Sequence, residues 1–174
     1  VTRLTSCPDA ETVAERAAAE VLRQLARARQ ERGVAHVALS GGGTPQRTYE
    51  LLAQSPREWE DVEVWFADER CVSPEDEQSN YLMAAERLLG PAEIPCERVH
   101  RMEGELGPEE GARRYARELA RSFPQPSPPV LDLVVLGIGP DGHVASLFPG
   151  APTLEAGPEE VCLPVRDSPK PPPE

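Results

Sequence analysis

Short apolar runs alternate with stretches of helical periodicity along the chain, and this alternation restricts the fold more than any other feature. Residues 35–39, 62–67 and 131–136 read as buried strands, with weaker strands near 98–102 and 161–165. Between them lie helices predicted over 44–54, 80–89 and 108–122. Strands separated by helices cannot pair as tight hairpins, so they must run parallel, joined by crossovers that cover both faces of the sheet. The first helix precedes them all. Asp9 can cap it, Val13, Ala17, Val21 and Leu25 fall on one face at i, i+4 spacing, and Gly33 suits the left-handed stop after Arg32. A chain of 174 residues, read as 1–174, fits one α/β domain with a core large enough to need no disulfide or metal staple.

Charge and cysteine usage narrow the function. Acidic residues number 30 against 18 basic ones, a net charge of -12, and such a surface repels phosphate backbones and anionic lipid headgroups. Nucleic-acid and membrane roles are therefore not expected, whereas a local basic pocket for a small anion is. Lys170 is the sole lysine. No stretch approaches the ~20 apolar residues of a membrane-spanning helix. Cys7, Cys71, Cys96 and Cys162 are scattered without a C-x-x-C pair, and residues 1–10 lack the basic and apolar regions of a secretion signal. A reduced cytoplasm is the expected compartment. Eight of the 20 prolines fall in two clusters, 124–129 and 169–173.

In a parallel sheet of this kind, ligands bind where loops leave the carboxyl ends of strands. Three such loops carry unusual residues. Ser40-Gly41-Gly42-Gly43-Thr44-Pro45 follows a strand and opens a helix, so its backbone can approach an anion closely, with Pro45 in the first helical turn. It matches neither the dinucleotide nor the Walker pattern; a plain strand-to-helix turn is the alternative. Asp68-Glu69-Arg70 sets two carboxylates and a guanidinium after the second strand, where Arg70 could hold a phosphate with its planar fork, or the three could form an ordinary surface cluster. Gly137-Ile138-Gly139-Pro140-Asp141-Gly142-His143 follows the most apolar strand. A neutral imidazole at His143 can take a proton near pH 7, and a carboxylate at Asp141 can fix its tautomer. His36 lies inside a strand and reads as a core residue, and His100 lies in an undistinguished segment. Cys71 reads as a packed thiol, and the carboxylates of 155–160 as a solvated loop, so no metal site is expected.

Four segments taken in order resemble the 6-phosphogluconolactonase family: Ser40 to Pro45, Asp68 to Arg70 with Ser79-Asn80-Tyr81, Gly137 to Gly150, and Ser168 to Pro173. The resemblance implies a three-layer Rossmann-like sandwich with a mostly parallel sheet, shared with glucosamine-6-phosphate deaminase. Arg70 and the uncharged Ser146-Leu147-Phe148-Pro149 are similar to the lactonases, whereas the deaminases look like D-E-Y and F-N-E-P at those places. Lactonases usually continue past the proline run with a further strand and helix, so the C-terminus is expected to be short.

The implied reaction is hydrolysis of 6-phospho-D-glucono-1,5-lactone, without a cofactor. The resemblance makes His143 the general base on water, with Asp141 or Asp68 orienting it or the substrate hydroxyls. It places the phosphate on Gly41, Gly42, Gly43 and Thr44 with Arg70 and Lys170, and lets a glycine loop hold the oxyanion. The expected partner is the small phosphorylated lactone, bound by a monomer. A deaminase-like isomerase and a non-catalytic sugar-phosphate-binding domain are the alternatives.

Overall fold

The computed structural model describes residues 2–123 and 128–170. Helix α1 spans Ala10–Arg32 and β1 spans Ala35–Leu39; α2 (Gln46–Leu52), β2 (Val62–Phe66), α3 (Asn80–Ala84), α4 (Pro108–Ser122) and β3 (Leu133–Val134) follow. The three strands form one parallel sheet in the order β2-β1-β3. Both ends of α1 are stopped as the sequence suggests. The Asp9 carboxylate accepts from the Thr12 N–H at 2.8 Å, and Gly33, at φ 80°, donates back to the Arg29 carbonyl. Its buried stripe is Ala14, Ala18, Val21, Leu25 and Ala28, so the predicted face is rotated at its start: Val13 is 46% exposed.

Alternation along the strands makes the sheet two-sided. Ala35, Val37, Leu39, Val62, Val64 and Phe66 face α1, α2 and α3, while Ala38 and Trp65 face Tyr115, Leu119 and Phe123 at α4. Helices thus cover both faces, giving three layers. Val37 pairs with Val64 and His36 with Glu63. A one-residue slip would turn His36 and Glu63 into the apolar layer and lose about 2 kcal/mol for each displaced aliphatic side chain, which fixes the register.

Several expected elements are shorter or missing. The helix predicted over 44–54 begins only at Gln46, because 41–45 is taken up by the loop. The helix over 80–89 changes to a π turn, Ala85–Leu89, closed by the Gly90 N–H on the Ala85 carbonyl. The strand near 98–102 is reduced to one bridge, Val99 to Val64, because 3-10 turns at Cys96–Arg98 and Gly104–Leu106 leave little extended chain between them. β3 makes its ladder only at Leu133–Val134, being an edge strand with one neighbour among the described residues. The strand predicted near 161–165 does not form. Pro164 lacks the N–H a ladder needs, and among the described residues no neighbouring strand accepts the segment. Residues 124–127 of the proline link and 171–173 of the tail lie outside the described residues. No described helix is long and apolar enough to cross a membrane.

Candidate active site

Because β1, β2 and β3 run parallel, their carboxyl ends share one edge of the sheet, and the three loops emerge side by side. The first is pinned by Ser40, which is buried. Its hydroxyl donates to the Val135 carbonyl at 2.7 Å, tying β1 to the chain leaving β3. The Tyr49 hydroxyl donates to the Ser40 carbonyl and accepts from the Ser40 N–H, tying the loop to α2. Gly41 lies against Asn80 so closely that a Cβ there would be 1.7 Å from the Asn80 Oδ1. Any larger residue at 41 would have to displace the Asn80 amide.

Asn80 then reaches the second loop. Its Nδ2 donates to the Asp68 carbonyl at 3.0 Å and to the Asp68 Oδ1 at 3.2 Å, while the Ser146 hydroxyl donates to the Asp68 Oδ2 at 2.7 Å. Asp68 is therefore held between α3 and the third loop. The neighbouring Glu69 carboxylate accepts four hydrogen bonds, from the N–H groups of Arg70, Asn80 and Tyr81 and from the Ser79 hydroxyl. Burial raises its carboxyl above the ordinary range, and the hydrogen bonds oppose that rise.

The third loop folds back on itself through Gly139 N–H to the His143 carbonyl and Gly142 N–H to the Gly139 carbonyl, with Gly142 at φ 86°. His143 Nδ1 contacts the Asp141 Oδ1, and Lys170 Nζ reaches the Asp141 Oδ2 at 3.3 Å. The imidazole contact, helped by Lys170, holds the Asp141 carboxyl down to about 2, so it is ionised at neutral pH. A carboxylate on Nδ1 selects the tautomer that leaves Nε2 with its lone pair. Lys170 is set by its own N–H donating to the Ser168 hydroxyl.

A cavity of about 650 Å³ opens against these loops. Asp68, Arg70, His143, Ser146 and Lys170 line it, with Phe66, Tyr115, Leu119 and Phe148 among its apolar residues. Asp141 is off the wall but contacts two residues on it. Gly42, Gly43 and Thr44 are exposed and do not line this cavity; Gly41 meets the cluster only through Asn80. Sequence reasoning gave no role to Glu69, Asn80, Ser146 or Gly139. The signal for Asn80 and Glu69 was a polar pair bracketing a loop, which has no meaning until the loop closes.

The other histidines lie elsewhere. His36 accepts from the Trp65 indole N–H, and burial lowers its imidazole. His100 stacks on Trp65 at 3.8 Å with its two nitrogens on Glu63 and Glu118. Among the described residues, no group of three or more His, Cys, Asp or Glu side chains is placed to hold a metal ion.

The model of the family described as "Glucosamine-6-phosphate isomerases/6-phosphogluconolactonase" matches residues 8–174. A 6-phosphogluconolactonase of Synechocystis sp. is 40% identical over 156 residues, covering 88% of this chain and 65% of its own length. One of Streptomyces coelicolor is 38% identical, covering 95% of this chain and 67% of its own. The crystal structure of 6-phosphogluconolactonase from Thermotoga maritima superposes with a TM-score of 0.71 at 33% identity, covering 84% of this chain and 63% of that one. The chain thus spans about two thirds of the length of these relatives. Since the family match runs through all three strand-end loops and the folds superpose, the chain belongs to the family of glucosamine-6-phosphate isomerases and 6-phosphogluconolactonases.

Proposed function

We propose that the chain carries the active site of a 6-phosphogluconolactonase, hydrolysing 6-phospho-D-glucono-1,5-lactone to 6-phosphogluconate in the oxidative pentose phosphate pathway. The observation that carries this reading is the Asp141–His143 contact at a cavity also lined by Arg70 and Lys170. A base and two cations on one cavity suit an ester that bears a phosphate. His143, its Nδ1 engaged by Asp141, takes a proton at Nε2 from a water that attacks C1. The tetrahedral intermediate then collapses, the bond from C1 to the ring oxygen breaks, and the imidazolium returns the proton to that oxygen. Arg70 and Lys170 take the phosphate, and the loop of Gly41, Gly42, Gly43 and Thr44, which lies off the cavity lining, adds backbone N–H groups by turning toward it when substrate binds. Asp68, held by Asn80 and Ser146, orients substrate hydroxyls. The reaction needs no cofactor, and we place it in the cytoplasm, in a monomer acting on a small molecule. The likeness to lactonases over nearly the whole chain supports the substrate.

A coupled assay of lactone consumption, with the spontaneous rate subtracted, tests the reading. Hydrolysis above background that falls about 10²–10⁴-fold in His143→Ala is the expected result. Ammonia released from glucosamine 6-phosphate, with no lactone turnover, would replace the hydrolase by an isomerase.

A further inference from the structure

The Glu69 carboxylate is engaged by four donors from two separate segments, residue 70 on one side and residues 79–81 on the other. An ionised carboxylate has about four lone-pair sites and no proton to offer, so this environment matches a carboxylate and no other side chain of that size. We infer that Glu69 is a positioning residue for Arg70, fixing the turn that aims the guanidinium at the anionic group of the substrate.

Arg70 follows the last residue of β2 by four positions, beyond the ladder that would otherwise fix its backbone. Glu69 Oε1 accepts from the Arg70 N–H at 2.8 Å and from the Asn80 N–H at 2.7 Å, so one oxygen joins the turn to the start of α3. Oε2 accepts from the Tyr81 N–H at 2.8 Å and the Ser79 hydroxyl at 3.2 Å, which stops the carboxylate rotating. Ser79 in turn accepts from the Leu82 N–H, and Asn80 donates to Asp68. The Arg70 carbonyl is packed from outside as well: a Cβ on Gly104 would come within 2.1 Å of it. The turn is therefore fixed on its carboxylate side by Glu69 and on its carbonyl side by Gly104. Glu69→Gln would present an amide N–H₂ to at least one of these donors, leaving a buried clash and a turn free to shift.

This inference rests on the reading of Arg70 as the anion-binding residue, so the test separates the two. Kinetics of wild type, Glu69→Gln, Arg70→Ala and the double variant are compared, together with titration of inorganic phosphate followed by calorimetry. Glu69→Gln should raise KM for the phosphorylated lactone about tenfold or more with a smaller change in kcat, weaken phosphate binding alike, and add less than threefold in the Arg70→Ala background. Effects that multiply in the double variant would overturn the inference, since Glu69 would then act independently of Arg70. Should the wild type turn over no lactone, the hydrolase reading falls and the phosphate titration alone decides: equal affinity in wild type and Glu69→Gln, or none in either, sinks the inference. Should Glu69→Gln not fold, Glu69→Asp keeps the charge and withdraws it by one methylene, and an unchanged KM or phosphate affinity there is equally fatal.

Discussion

At the scale of single residues, the imidazole of His143 depends on an absent side chain. A Cβ on Gly139 would lie 2.0 Å from the His143 Cε1 and 2.8 Å from the Asp141 Oδ1, so Gly139→Ala must push the ring and its carboxylate apart. Displacement of a reacting group by about 1 Å can cost 10²-fold, and the loop itself has room to relax toward solvent. Gly139→Ala should therefore lower kcat/KM about 10²-fold while leaving the thermal midpoint within a few degrees, a contrast that paired kinetic and melting measurements check. The Asp141–His143 contact also has a pH signature. Because Asp141 titrates at about 2 rather than its ordinary 3.8, its contribution to the fold is complete above the ordinary value and is lost as pH falls through the lower one. A carbon-13 titration of the Asp141 carboxyl should give the low value in wild type and move upward in His143→Ala; an unmoved midpoint would mean that the imidazole is not its partner. That Asp68, Arg70, His143 and Lys170 meet at one cavity, with Asp141 in contact with two of them, is legible in the sequence because each stands in a loop whose neighbours are glycine, proline or the end of an apolar run. Glu69 and Asn80 are not, since their bonds join residues 11 apart through a loop with no periodic pattern. Gly42, Gly43 and Thr44 are expected near the phosphate from their place between a strand and a helix and from the resemblance, and neither says whether the loop backbone faces the cavity or solvent; here these residues are exposed and off its lining.

Among the elements, α4 is fastened to the sheet by a contact that sequence patterning passed over. His100 has its ring flat on Trp65 of β2, 9° from parallel, with one nitrogen on Glu63 of β2 and the other on Glu118 of α4. The single bridge at Val99 and the N–H of His100 on the Val64 carbonyl hold the ring there, although no continuous strand forms. Removing the ring takes away the group that bridges the two carboxylates and strips one face of Trp65. His100→Ala should cost about 2 kcal/mol of folding free energy, in line with loss of hydrogen bonds to charged groups. Urea denaturation followed through the fluorescence of Trp59 and Trp65 measures it, and a midpoint equal to wild type would show the contact to be idle. The ends of helix α1 are legible because a cap and a glycine stop mark them, and its buried stripe agrees with the predicted one from Val21 onward. The segment over 161–165 misled because an apolar run is only a strand if another strand can accept its N–H groups, and that condition lies outside the run.

For the whole molecule, charge and apolar surface act against each other. The net charge of -12 keeps copies apart, while among the described residues Val134 and Leu136, at the cavity, and Ile138, 81% accessible, expose apolar surface along β3 and the loop that follows it. An edge strand presents unpaired N–H and carbonyl groups as well as side chains, and natural edges are commonly protected by lysine, proline or a bulge. Residues 131–136, Leu-Asp-Leu-Val-Val-Leu, contain none of these except the charge of Asp132, whose carboxylate is already taken by the His36 N–H and Arg32. The balance should therefore follow ionic strength and pH. At low salt and pH 8, repulsion between copies acts over tens of ångströms and the chain should be monomeric; at about 1 M salt the Debye length shrinks to ~3 Å and the apolar edge is no longer shielded. Approach to the isoelectric point, near 4.8, removes the net charge altogether. Light scattering should show a mass that rises with salt and again as pH falls toward that point. Ile138→Asp, which puts a charge on the most exposed of the three, should suppress the rise at high salt; association that persists unchanged in this variant would place the contact on another face of the molecule.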